Sequence, residues 1–115
     1  MNDLENWQAM IREFVEARGW HHHQNPKSLA AAMAVEASEV LEHFLWLPEA
    51  ESFALPEAKR REVAHELSDV LMGVLRVADL LQIDLRAAFA EKMEINRRKY
   101  PPEKVRGRAI KYTDL

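Results

Sequence analysis

Apolar residues in this chain recur every three or four positions along most of its length and nowhere alternate, a rhythm that helices bury and strands do not. Leu4, Trp7, Ile11, Phe14 and Val15 form a first stripe, which stops at Gly19, a residue that suits a helix end. A polar connector from Trp20 to Lys27 precedes a second run, about Leu29 to Trp46, closed by Pro48. An acidic loop from Pro48 to Leu55 leads to Pro56, placed as a first helical residue, and to a long run from Glu57 to about Gln82. Asp84 reads as the N-cap of a fourth helix, Leu85 to about Tyr100, which Pro101 and Pro102 terminate. The expectation is an all-α, four-helix bundle: one domain over residues 1–115, with a basic, irregular tail at 103–115.

Composition narrows the function classes. The 115 residues include no cysteine, which removes disulfides, thiolate metal sites and cysteine nucleophiles. Sixteen Lys and Arg against nineteen Asp and Glu, a formal net charge of -3, argue against a partner nucleic acid bound through a basic face. No window approaches the roughly 18 uninterrupted apolar residues of a membrane span. Asp3 and Glu5 stand where a secretion signal would carry positive charge, so a cytoplasmic location is expected.

The most informative residues lie in the two central helices. Glu36 and Glu39 are an acid pair at i, i+3, and Glu66 and Asp69 repeat it; each pair shares a helix face, about 5–6 Å apart at Cβ. At about 100° per residue, Met33, Ala37, Val40 and Phe44 form one stripe with Glu36 and Glu39 on its edge. Val63, Leu67, Val70 and Val74 form another with Glu66 and Asp69 at the same offset. Helices packed through these stripes bring four carboxylates together. Two unit charges about 5 Å apart repel by about 3 kcal/mol at an effective dielectric of about 20. Protonation, basic partners or a bound cation must offset this. A hard divalent ion such as Mg²⁺ or Mn²⁺ suits an all-oxygen site. The small residues Ala32 and Gly73 beside the acids leave room for a ligand.

Other patterns carry less. His21, His22 and His23 lie in a polar connector with no carboxylate at ligand spacing, and read as a solvated loop. Glu62 and His65 make one Glu-x-x-His, but a di-iron bundle requires a second. The reading from a different class is a non-catalytic helical bundle that binds a partner protein, its acids being surface charge.

The stretch Ala34 to Trp46, which contains Glu36-Ala37-Ser38-Glu39, resembles the first motif of the MazG-like nucleotide pyrophosphohydrolases. Glu66-Leu67-Ser68-Asp69-Val70-Leu71 resembles the second, and Lys92 to Pro101 the third. Lys111-Tyr112-Thr113-Asp114-Leu115 is similar to the ending of the dCTP pyrophosphatase branch. The resemblance implies an all-α enzyme that cleaves a nucleoside triphosphate between its α and β phosphates, giving monophosphate and pyrophosphate. It implies that Glu36, Glu39, Glu66 and Asp69 are the catalytic, Mg²⁺-binding acids. Lys92, Asn96 and Tyr100, with Lys111 in the tail, become phosphate and sugar contacts, and Trp20 and Trp46 stack on the base. Animal members of that branch carry a histidine on the first helix and a tyrosine on the third beside the base, where this chain has Ile11 and Gly73. A base pocket more tolerant than strict cytosine selectivity is expected.

Leu75, Val77, Leu80 and Leu81 surround the third helix widely, more than one small bundle covers easily, which suggests a homo-oligomer. The resemblance favours a tetramer built as a dimer of dimers, with a role in clearing unwanted nucleotides.

Overall fold

Every regular element of the computed structural model, which describes residues 2–115, is helical; no strand occurs among the described residues. Helix α1 spans Asp3–Ala17, α2 Pro26–Glu42, α3 Glu57–Leu80, α4 Leu85–Lys99 and α5 Pro102–Val105. Single 3₁₀ turns occupy Trp20–His22, Glu49–Phe53 and Tyr112–Asp114. The described residues therefore form five α-helices, not four. Pro101 and Pro102 do end α4, but Pro102 is also the first residue of the next turn, a position its fixed φ favours. The tail is correspondingly less irregular than its composition suggests.

Caps set the ends that apolar spacing leaves vague. Asn2 accepts from the Glu5 N–H at 2.8 Å and opens α1. Gly19, at φ 67°, takes the left-handed conformation just past its end, a conformation strained for any side chain. Helix α2 begins three residues before Leu29, because Asn25 accepts from the Ser28 N–H at 2.9 Å and Pro26 occupies the first turn. It ends at Glu42, so Trp46 lies in the turns beyond it. Pro56 precedes α3 instead of opening it, and α3 stops at Leu80. Asp84 caps α4 as expected, accepting from the Ala87 N–H at 3.1 Å.

The chain divides into two compact units, one ending at Ile83 and the other beginning at Asp84. In the first, α2 lies along α3, and α1 packs on α3 as well. Two polar ties hold α1 in place. Gln8 donates to the Leu75 carbonyl at 3.1 Å, and Arg12 pairs with Asp79 at 2.7 Å. Val15, Val63, Leu75 and Ala78 are buried at the centre. The acid-bearing stripes are only partly interior: Val63 is buried, and Val40, Phe44, Val70 and Val74 are half-buried. Ala37 is exposed, and Leu67, expected inside, is 54% exposed. In the second unit, the tail returns to the end of α4. The Tyr100 and Tyr112 rings meet edge-on at 6.0 Å, and Lys99 Nζ sits 4.4 Å over Tyr112.

Candidate active site

Glu36 and Glu39 project from α2, and Glu66 and Asp69 from α3; all four are half-buried. Glu36 feels the other three. Its carboxyl is raised above the ordinary range, first by sharing a proton with Glu39, then by lost hydration, then by the charges of Glu39, Asp69 and Glu66. Its Oε2 is sealed from water with no donor facing it. Among the described residues, no three of these side chains are already folded into a coordination shell. The donor set is nonetheless all oxygen, crowded and short of protons to share, which is what a hard dication satisfies.

A histidine not singled out from the sequence joins them. His43 Nε2 lies 2.5 Å from Glu66 Oε2, close but out of line for a hydrogen bond, and His43 Nδ1 lies 3.8 Å from Glu62. Position 43 is four residues after Glu39 and seven after Glu36, so the arithmetic that grouped the acids also places it on their face.

A cavity of about 380 Å³ opens beside Glu36 and Asp69. Ile11, Phe14 and Val15 of α1 form one wall, and Trp20 and Gln24 of the connector another. Across from them, α2 contributes Leu29, Ala32 and Met33, and α3 contributes Met72, Gly73 and Arg76. Trp20 stands edge-on to Phe14 at 5.8 Å and remains 49% exposed, leaving part of its ring free. Ala32 and Gly73 line the space, but Gly73 is not merely vacant: a Cβ there would meet Met33 Cβ at 3.3 Å. The missing side chain lets α2 approach α3 as well as leaving room.

The remaining candidates lie elsewhere. Trp46 is 89% exposed and does not line this cavity. On α4, Lys92 is exposed, and Asn96 and Tyr100 are half-buried; Asn96 also caps the helix end through its carbonyl, which accepts from the Tyr100 N–H. Lys111 is exposed immediately before the last 3₁₀ turn.

A family model described as MazG-like matches residues 31–115, across both acid pairs and α4. The chain belongs to the MazG-like family. This MazG-like chain is 37% identical over 114 residues to mouse dCTP pyrophosphatase 1, covering 97% of this chain and 67% of that protein. It is 35% identical to the human dCTP pyrophosphatase 1 over the same share of both. Its backbone matches the crystal structure of a pyrophosphatase from Archaeoglobus fulgidus with a TM-score of 0.81, at 37% identity, covering 88% of this chain and 94% of that one.

Proposed function

We propose that this MazG-like chain is a nucleoside triphosphate pyrophosphohydrolase acting on dCTP or related pyrimidine deoxynucleotides. The observation that carries the reading is the crowding of four carboxylates around Glu36 at the mouth of a cavity walled by Trp20. The pyrophosphatase relatives, mammalian and archaeal, support the same chemistry.

Glu36, Glu39, Glu66 and Asp69 hold Mg²⁺, with Mn²⁺ an alternative of like chemistry. When bound, the ion neutralises triphosphate charge and polarises the α-phosphoryl oxygens. One of the four acids takes a proton from water as its oxygen bonds to the α-phosphorus. The α–β anhydride bond breaks and pyrophosphate departs, leaving a nucleoside monophosphate. Lys92 and Asn96, one turn apart on a face of α4, hold phosphate and sugar together with Tyr100 and Lys111. The face of Trp20, and that of the exposed Trp46, stack on the base, since every base offers a π-face. One functional domain covers the chain, a reading supported by a family match that runs across both compact units.

We place the enzyme in the cytoplasm as a homo-oligomer, a dimer of dimers, with a nucleotide-clearing role. Support for assembly comes from large apolar side chains left in solvent on α2 and α3: Val35, Leu41, Leu67, Leu71 and Met72 are all more than two-fifths exposed. Among the described residues no helix is long and apolar enough to cross a membrane.

The test is a product assay on a panel of dCTP, dUTP, dTTP and a purine triphosphate. Wild type should release pyrophosphate with Mg²⁺ present and accept more than one pyrimidine, while Glu36→Gln and Asp69→Asn release none. Inactivity on the whole panel, or activity that survives both substitutions, would overturn the reading.

A further inference from the structure

Arg76 is the one buried charged residue among those described, at 7% exposure, and it lines the cavity two helical turns beyond Asp69. Its partners leave it incompletely satisfied. Nε donates to Gln24 Oε1 at 2.8 Å. Nη1 lies 3.6 Å from Asp79 Oδ2, beyond hydrogen-bond reach, because the other Asp79 oxygen is held by Arg12 at 2.7 Å. One carboxylate thus serves two guanidinium groups, which leaves a net positive charge. Among the described residues neither terminal nitrogen of Arg76 donates a hydrogen bond. Neither nitrogen is among the atoms sealed from water, so both are free to donate to a ligand that enters the cavity Arg76 lines.

The rest of the wall offers no acceptor near it: Ile11, Phe14, Leu29, Met33 and Met72 are apolar. Glu36 and Asp69 belong to the acid cluster. A flat ring against Trp20, with its phosphates toward that cluster, meets two polar side chains: the Arg76 guanidinium, which only donates, and the Gln24 amide, whose oxygen is already held by Arg76 Nε.

We propose that Arg76 reads the nucleobase, donating to the O2 carbonyl that cytosine, uracil and thymine share. Because arginine has no acceptor, neither the cytosine amino group nor the uracil N3–H is its partner. O2 is the acceptor common to all three, which gives recognition of pyrimidines without strict choice among them. Gln24 is a positioning residue: its carbonyl oxygen is committed to Nε, which fixes the plane of the guanidinium fork. The inference rests on the pyrophosphohydrolase reading and deepens it.

The experiment compares wild type, Arg76→Met and Arg76→Lys on dCTP, dUTP, dTTP and ribose 5-triphosphate, which has no base. Arg76→Met should fold, since Asp79 keeps Arg12 and a buried charge gives way to an apolar side chain of similar length. Its KM for the three pyrimidine substrates should rise at least about tenfold, the scale of one lost charged hydrogen bond, with kcat within about threefold. Turnover of ribose 5-triphosphate should not change, and Arg76→Lys should recover part of the loss. A purely structural arginine predicts equal losses with and without a base, and that result overturns the proposal. So does an unchanged KM. A measurement on wild type alone guards against misfolded variants: 2-thio-dCTP, whose sulfur accepts weakly, should show a KM about tenfold above dCTP, and equal values overturn the proposal. Wild type that hydrolyses neither pyrimidine triphosphates nor ribose 5-triphosphate removes the enzymatic reading itself, a failure distinct from the loss of base recognition.

Discussion

Glu36 is stabilised in its protonated form by Glu39, by partial burial and by the charges around it. An acid with a raised folded-state pKa favours the fold below its unfolded value of 4.5, and that contribution disappears as pH climbs through the raised value. Melting of the Mg²⁺-free protein should therefore fall as pH rises from the ordinary carboxylate range toward neutrality. Glu36→Gln should flatten that slope while abolishing hydrolysis, and a variant with the same slope as wild type would refute the assignment. Gly73 invites a second substitution. A Cβ at position 73 meets Met33 Cβ at 3.3 Å, so Gly73→Tyr forces Met33 to shift, and overpacking of this kind costs about 1–3 kcal/mol, to be read as a lower denaturant midpoint. The acids were legible in the sequence because a fixed 100° step places i and i+3 together whatever the surroundings. Arg76 was not, although it sits seven residues after Asp69. Nothing in the sequence distinguishes an arginine turned into a cavity from one in solvent until its partners, Gln24 and Asp79, are known.

Helix ends obey local chemistry, and the joints between helices do not. Asn25 and Pro26 start α2 where turn geometry dictates, three residues before the first apolar periodic residue. Apolar spacing alone therefore misjudged that start, whereas Asp84 was recognised at α4 because a capping acid directly precedes the run. The α1–α3 joint is different, since it pairs residues 67 positions apart, Arg12 and Asp79. Asp79 has only 15% of its side chain exposed and faces two guanidinium groups, whereas Arg12 is 44% exposed. Asp79→Ala strands Arg76 as an unpaired buried charge and should cost about 3–5 kcal/mol. Arg12→Ala removes a half-exposed partner and should cost about 1 kcal/mol or less. Urea melts of the two variants measure the difference, and equal losses would mean that Arg76 does not depend on Asp79.

Across the whole molecule, the proposed divalent cation and the proposed neighbouring copies would both act on stability. A ligand bound only by the folded state raises stability by RT ln(1+[L]/Kd), so Mg²⁺ at 100 times its Kd adds about 2.7 kcal/mol. The melting temperature should climb with Mg²⁺ and stay flat for Glu36→Gln paired with Asp69→Asn; a non-catalytic interaction module would ignore the ion. Leu67→Lys, at a 54% exposed position that helical arithmetic assigned to the interior, should lower the mass seen by light scattering. A wild-type mass of one chain would end the case for assembly. That position was misjudged because an apolar stripe does not reveal whether its cover comes from the same chain or another.

Only four apolar residues, Val15, Val63, Leu75 and Ala78, are buried within the described part of this chain, and Val63 still keeps 8% exposure. In the homo-oligomer proposed above, so thin an interior would draw cohesion from neighbouring chains, and dilution should loosen it. Its melting point would then track protein concentration, and the working enzyme would exist only where enough chains are made to find one another.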